Sequence, residues 1–451
     1  MGRRKIPSRR LTRREFLLAS ALAGAGLLSL SSCGGASGGQ AAVAKSAAEG
    51  GAQYAGPKVN LQFWNGFTGG DGQAMQQLVD QFNSEYENIQ VDMVTMQWNP
   101  DFYQKTPGAV ASGQGPDVAV MHVDHLALNA ERGVIVPLDD VVEALSLQES
   151  DFAPVPWNAG IYNGKRYGIP LDTHPLGLYY NKSVMEQGGM NPEKPPQTYD
   201  EYMEAVEQLK GNGIQGSWVP PSFFTGWHMF TSLLWQFGGD LYNEDATQST
   251  VNSDAGVEAL TWMVDLVKEG YSPHDVAQDG DVVAFQNGQN AFNWNGIWMI
   301  NAFRGNPDLE WGAAPLPQIG TENAAWANSH NFVIPNQPNP NPDKLQASKV
   351  FANWIIEHSL DWAKGGQVPA LSSVRESEAF ESLDWQPVFA QELPYVHVGP
   401  AAPGVSEINE NILYTAVNEA VLLSNDPKSA LDTAVNRANQ RLQQNLQRYG
   451  G

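Results

Sequence analysis

The sequence predicts an α/β fold in two domains. Short strand-like runs alternate with amphipathic helical runs, and about 395 residues (57–451) follow the N-terminal leader. No apolar run after that leader is long enough to cross a bilayer.

The elements follow from local periodicity. "VNLQFW" (Val59–Trp64) alternates apolar and polar residues, the period of a strand with one buried face. Met75, Leu78, Val79, Phe82 and Tyr86 then share one helical face, and "IQVDMV" returns to strand. "TYDEYMEAVEQL" opens with Thr198 and Glu201 at the spacing of a capping box. "DPKSALDTAVNRANQRLQQNL" offers Asp426 as N-cap and Pro427 in the first turn. Leu431, Ala434, Val435, Ala438 and Leu442 follow on one stripe. Alternating β and α units imply largely parallel sheets, which bind ligands beyond the carboxyl ends of their strands. "WNGFTGG" (Trp64–Gly70) follows the first strand at such a place.

The leader has an export signature. Arg13-Arg14 follows Thr12 and precedes Phe16-Leu17, and an apolar run rich in Gly, Ala and Ser continues to Leu30. The run is short for a bilayer span and has a basic flank, as in a signal peptide. The paired arginines resemble the twin-arginine export signal. "LSSC" (Leu30–Cys33) resembles a lipobox, whose cysteine becomes the lipidated first residue of the mature chain. Cys33 is the only cysteine, which excludes an internal disulfide. Residues 1–32 are expected to be the lipoprotein signal, and 33–57 a flexible tether.

Charge narrows the partners. Residues 1–32 hold seven of the 26 basic residues and one of the 49 acidic ones, so the remainder carries 19 against 48, a formal charge of −29. Such a surface argues against nucleic acid and against electrostatic adsorption to anionic lipid. A lipid anchor is the expected membrane attachment.

Several motifs fail on context. Gly211–Gly216 matches GxGxxG but follows a helix, where it reads as a helix stop rather than a dinucleotide loop. "DGD" (Asp279–Asp281) lacks the further oxygen ligands of a calcium loop. His122 and His125 lie at a strand end, where they are expected on opposite faces, and no cysteine accompanies them. No metal site and no cofactor are predicted.

Asn290–Ile300, "NAFNWNGIWMI", combines three side-chain amides with two tryptophans. Burying an amide without partners costs about 1–3 kcal/mol. The segment is therefore either an awkward piece of core or the wall of a binding site.

Taken in order, "FWNGFTGGDGQAMQQLVDQFNSEY", "GQGPDVAVMHVDHLALNAERGVIVPLDD", "YNGKRYGIPLDTHPLGLYYNKSVM", "NGQNAFNWNGIW", "WGAAPLPQ" and "SALDTAVNRANQ" resemble segments of the family 1 extracellular solute-binding proteins. These are sugar-capturing components of ABC importers, related to the maltose-binding proteins. The resemblance covers nearly all of residues 58–447. It implies a two-lobed, type II periplasmic-binding-protein-like α/β fold with the ligand in the cleft. The N-terminal lobe would be 58–172 plus 329–376 and the C-terminal lobe 173–328 plus 377–451, with crossings near Asp172, Asn328 and Glu376. It also implies a monomer without catalysis that binds a carbohydrate and docks on the permease subunits. Alternatives are a binder of peptides or another polar solute, and a secreted carbohydrate-active enzyme, although no carboxyl pair is marked for catalysis.

A sugar needs aromatic planes for its C–H faces, and amides, carboxylates or imidazoles for its hydroxyls. By the resemblance, Trp298 matches the stacking tryptophan, with Asn295 in the turn before it, and Trp294 belongs to the core. Asn65 is expected to face the cleft, while Trp64 reads as either ligand plane or core. Asp124 matches a position that accepts sugar hydroxyls, beside His125. Asp172 and His174 mark the first crossing, Asn328 and His330 the second. Trp227 is expected as a second platform and Phe224 as packing.

Overall fold

The computed structural model describes residues 52–449. The twin-arginine segment, Cys33 and the tether up to residue 51 lie outside the described residues.

The chain opens with β1 (Val59–Asn65), β2 (Ile89–Thr95) and β3 (Val118–His122). A small hairpin follows, β4 (Ile161–Tyr162) with β5 (Lys165–Arg166), and then β6 (Ile169–Pro170). The long strand β7 (Asp172–Asn181) begins a second sheet, joined by β8 (Phe292–Gly296), β9 (Trp311–Ala314) and β10 (Ala325–Asn328). The chain then returns through β11 (His330–Val333) and ends its strands with β12 (Val368–Pro369) and β13 (Val396–His397).

The first sheet has the order β2-β1-β3-β11-β6. In the second, β7 is the hub, paired with β8, β9, β10 and β12, and β13 lies beyond β10. All ten residues of β7 are buried, as expected for a strand covered on both faces.

The sheets are mixed rather than largely parallel. β1 runs parallel to β2 and β3, but β11 is antiparallel to both β3 and β6, and every partner of β7 is antiparallel to it. The reason is the crossing itself. A chain returning from the other sheet enters from the opposite end, and strand–helix alternation does not reveal that reversal.

Local signals were obeyed closely. Helix Gly70–Glu85 buries Met75, Leu78, Val79 and Phe82. The last helix, Pro427–Tyr449, buries Ala430, Leu431, Ala434, Val435, Ala438 and Leu442, and Asp426 Oδ1 accepts from Ser429 N at 3.0 Å. At helix Tyr199–Gly211 the capping box is only half made. Thr198 accepts from Glu201 N, whereas the Glu201 carboxylate takes the N–H of Gln197.

Each sheet has its own core. Leu61, Phe63, Phe82, Val120, Phe332 and Phe351 pack about the first, and Leu178, Tyr202, Phe230, Leu260, Phe292 and Trp294 about the second. Asp117 braces the first sheet through Gln62 N (2.9 Å) and Lys344 (2.9 Å).

Phe332, on the returning strand β11, is 1% exposed and meets both Phe63 and Phe351. Phe332→Ala should cost about 3–5 kcal/mol in urea denaturation. A loss below about 1 kcal/mol would mean that β11 does not complete this core.

Candidate ligand-binding cleft

A cleft of about 680 Å³ draws its lining from both sheets. Each side is built from an Asn-Gly pair at the end of a strand. Asn65 ends β1, and its Oδ1 accepts from Phe67 N (3.1 Å) and the Thr95 hydroxyl (3.0 Å), which fixes the turn. Gly66 lies beneath Trp98. A Cβ at residue 66 would come within 2.0 Å of the indole, so only glycine admits this approach. Across the cleft, Asn295 Oδ1 accepts from Gly296 N (2.9 Å), and a Cβ on Gly296 would come within 2.0 Å of Trp298.

Trp98 and Trp298 are both half-buried, with rings bordering the cleft. Trp298 meets Phe224 at 5.3 Å and Trp326 edge-on at 6.3 Å, and Trp326 stacks on His228 at 3.6 Å. Burial first, and His174 second, push the His228 pKa down to about 3, so this imidazole is neutral.

The polar groups come from the strand ends. Asp124 Oδ1 accepts from Asn328 Nδ2 at 3.0 Å, and Asn328 Oδ1 takes the N–H groups of Val123 and Ser329. His125 stacks on Tyr103 at 3.6 Å, and its Nε2 lies 3.7 Å from Glu410 Oε1. Burial alone would lower the His125 pKa, but Asp124 and Glu410 outweigh it and raise it. Asp71 borders the same space; burial raises the pKa of its carboxyl, and its buried Oδ1 has no partner. Gln367 likewise borders the cleft with an unpartnered Oε1.

Residues 77–384 match the family model of the bacterial extracellular solute-binding proteins. The chain belongs to that family. It is 22% identical over 396 residues to the maltotriose-binding protein of Pyrococcus abyssi, covering 85% of this chain and 82% of the relative. The cyclic α-maltosyl-1,6-maltose binding protein of Arthrobacter globiformis superposes with a TM-score of 0.73 at 24% identity, over 86% of this chain and all of the other. An ABC substrate-binding protein of Listeria monocytogenes, solved with cycloalternan, gives 0.74 at 22% identity, over 85% and 99%. This solute-binding protein thus has the two-lobed α/β architecture.

The fold brings Asp124, His125, His174, Trp298, Asn328 and His330 to the cleft of the solute-binding protein. Asn65, Asn295 and Asp172 are not among its lining residues. The two asparagines are spent on holding the turns, and Asp172 lies fully buried below His174 and His330. Trp227 borders the cleft but is 2% exposed, packed against Phe230, while Phe224 is 48% exposed beside Trp298. The burial of these two is therefore the reverse of the expectation, because helix Phe223–Gln236 is buried on almost every face and its pattern does not choose one. Trp64 packs with the buried cluster around Phe102 and Ala119. Trp294 is 5% exposed, with Nε1 donating to Tyr202.

His122 and His125 do not point apart. β3 stops at His122 and Val123–His125 form a 3-10 turn, so both imidazoles border the cleft with Tyr103 between them. Trp98, Tyr103, His122, His228 and Trp326 went unassigned in the sequence. Trp326 did leave a signal, since it alternates with the buried Ala325 and Ala327.

His125 gains charge partners on folding, so its folded pKa exceeds the unfolded value of about 6.5. The stability it contributes is complete below that pH and is lost as pH rises through the folded pKa. Glu410→Gln should cost about 0.5–1 kcal/mol near pH 5.5 and much less near pH 9, read from denaturation midpoints. An equal cost at both would remove the ion pair from the account.

Proposed function

We propose that this protein is the substrate-binding component of an ABC importer. It captures an oligosaccharide outside the cytoplasmic membrane and delivers it to a permease. The observation that carries this is the pair of half-buried tryptophans, Trp98 and Trp298, each seated on a strand-end glycine on its own side of one cleft. Indole rings suit the C–H faces of pyranose rings, and Asp71, Asp124, Asn328, Gln367 and Glu410 suit their hydroxyls. Relatives named for maltotriose, cyclic maltosyl-maltose and cycloalternan binding support the same class of ligand. Those relatives are binding proteins, in keeping with capture without catalysis.

The further parts of the proposal rest on the sequence. The protein acts as a monomer, is exported through the twin-arginine route, and is held at the membrane by lipid on Cys33. The lobes are residues 58–172 with 329–376, and 173–328 with 377–451. Cys33→Ala should move the exported protein into soluble fractions with its folding unchanged. Continued pelleting with membranes would contradict the anchor.

A thermal-shift screen against mono-, di- and oligosaccharides identifies the ligand, since one present at 100 times its Kd adds about 2.7 kcal/mol of stability. With that ligand, Trp298→Ala should weaken affinity by about one to three orders of magnitude, from about 1–3 kcal/mol of lost aromatic contact. Its folding stability should fall only modestly. Trp294→Ala should instead lose about 3–5 kcal/mol of stability, as a core cavity does. Large destabilisation at Trp298 with unchanged affinity would move that ring into the core. No response to any saccharide would favour a peptide or another polar solute.

A further inference from the structure

Three imidazoles from three strands meet at the floor of the cleft. His122 closes β3, His330 opens β11 directly opposite it, and His174 comes from β7 in the other sheet. One ring nitrogen of each lies within 4.8 Å of those of the other two. Ring centroids are 4.3 Å apart for His174 and His330, 4.8 Å for His122 and His330, and 5.5 Å for His122 and His174.

The Nδ1 nitrogen of each ring is engaged. Asp172 accepts from Nδ1 of His174 (3.1 Å) and Nδ1 of His330 (2.7 Å). A carboxylate only accepts, so both histidines carry their proton on Nδ1 and, when neutral, present a free lone pair at Nε2. Nδ1 of His122 lies 2.7 Å from the Tyr103 hydroxyl, whose oxygen also accepts the His122 N–H at 3.0 Å and can accept a second proton from the ring. An oxygen behind each imidazole is the arrangement that orients metal-ligating histidines and raises their basicity.

We infer that His122, His174 and His330 form a three-imidazole site for a borderline divalent transition-metal ion of the Zn2+ class, with a further coordination position open to the cleft. Imidazole ligands suit Zn2+, Cu2+ and Ni2+, whereas Ca2+ and Mg2+ take oxygen. Tetrahedral bonds of about 2.0–2.1 Å place nitrogens about 3.3 Å apart, so binding draws the rings together by at most about 1.5 Å. His174 belongs to one sheet, and His122 and His330 to the other. A bound ion would therefore clasp the two sheets where the chain crosses between them, and its open position would take water or an oxygen of the solute. The site rests on cleft geometry and holds whether or not that solute is a sugar.

The test uses the mature chain stripped with EDTA. Zn2+ is titrated by calorimetry and Co2+ is followed by visible absorption. One ion per chain is expected, with intense d–d bands of low-coordinate Co2+. His122→Gln and His174→Gln should each weaken Zn2+ binding at least about 100-fold, and Tyr103→Phe, which removes only the hydroxyl behind His122, about tenfold. X-ray absorption of the Zn2+-loaded wild type guards against variants that misfold, and should count about three imidazole nitrogens at about 2.0–2.1 Å. Absence of binding, an oxygen-only shell, or unchanged affinity in both histidine variants would overturn the inference. Saccharide titration of the stripped protein separates the two proposals. Sugar binding by a chain that takes no metal removes the metal site alone, and metal binding without response to any sugar removes the sugar alone.

Discussion

Asp172 receives four hydrogen bonds in a place without solvent: His174 Nδ1 at 3.1 Å, His330 N at 3.0 Å, His330 Nδ1 at 2.7 Å and Trp362 Nε1 at 2.7 Å. Burial pushes its pKa up, but its contacts with His330 and His174 more than reverse this and hold the carboxyl well below the usual range. A buried charge stripped of a partner costs several kcal/mol, so the elements that supply these donors are locked to one another. Those elements are the two strands that carry the chain between sheets, β7 and β11, and the helix Ser359–Lys364. The base of the cleft is thus fixed by one ion, and the tryptophan-bearing sides stand away from it.

Those sides share a construction. On each, an asparagine at or next to the end of a strand spends its side-chain oxygen on the turn, and the glycine after it leaves room for an indole. The aromatic surface is held by backbone geometry, while the polar surface is left with unused capacity. Asp71 and Gln367 each keep a buried oxygen without a partner at the cleft. Leaving such atoms unpaired costs about 1–3 kcal/mol each.

Much of the fold was legible because helix and strand periods are local. The buried stripes of Gly70–Glu85 and Pro427–Tyr449 could be read directly, as could the end of β1 at the cleft. Strand direction was not, since β11 and β10 run as they do only because the chain has crossed between sheets. The place of Trp298, Asp124, Asn328 and His330 at the cleft was legible from the resemblance. Asn65 lies outside the lining for a physical reason: an amide beside a glycine serves the turn as readily as a ligand. The histidine cluster left no local trace, because His122, His174 and His330 are far apart in sequence and only sheet pairing unites them. The reversed burial of Trp227 and Phe224 has a similar cause, as a helix buried on nearly all sides does not say which face is open.

The central claim is that two lobes hold a solute between them over a base fixed by Asp172. Small-angle X-ray scattering of the mature protein, with and without a saturating oligosaccharide found in the screen, tests it most directly. The radius of gyration should fall on binding, as the lobes close over the ligand by hinge motion. An unchanged radius of gyration at full occupancy would contradict the account.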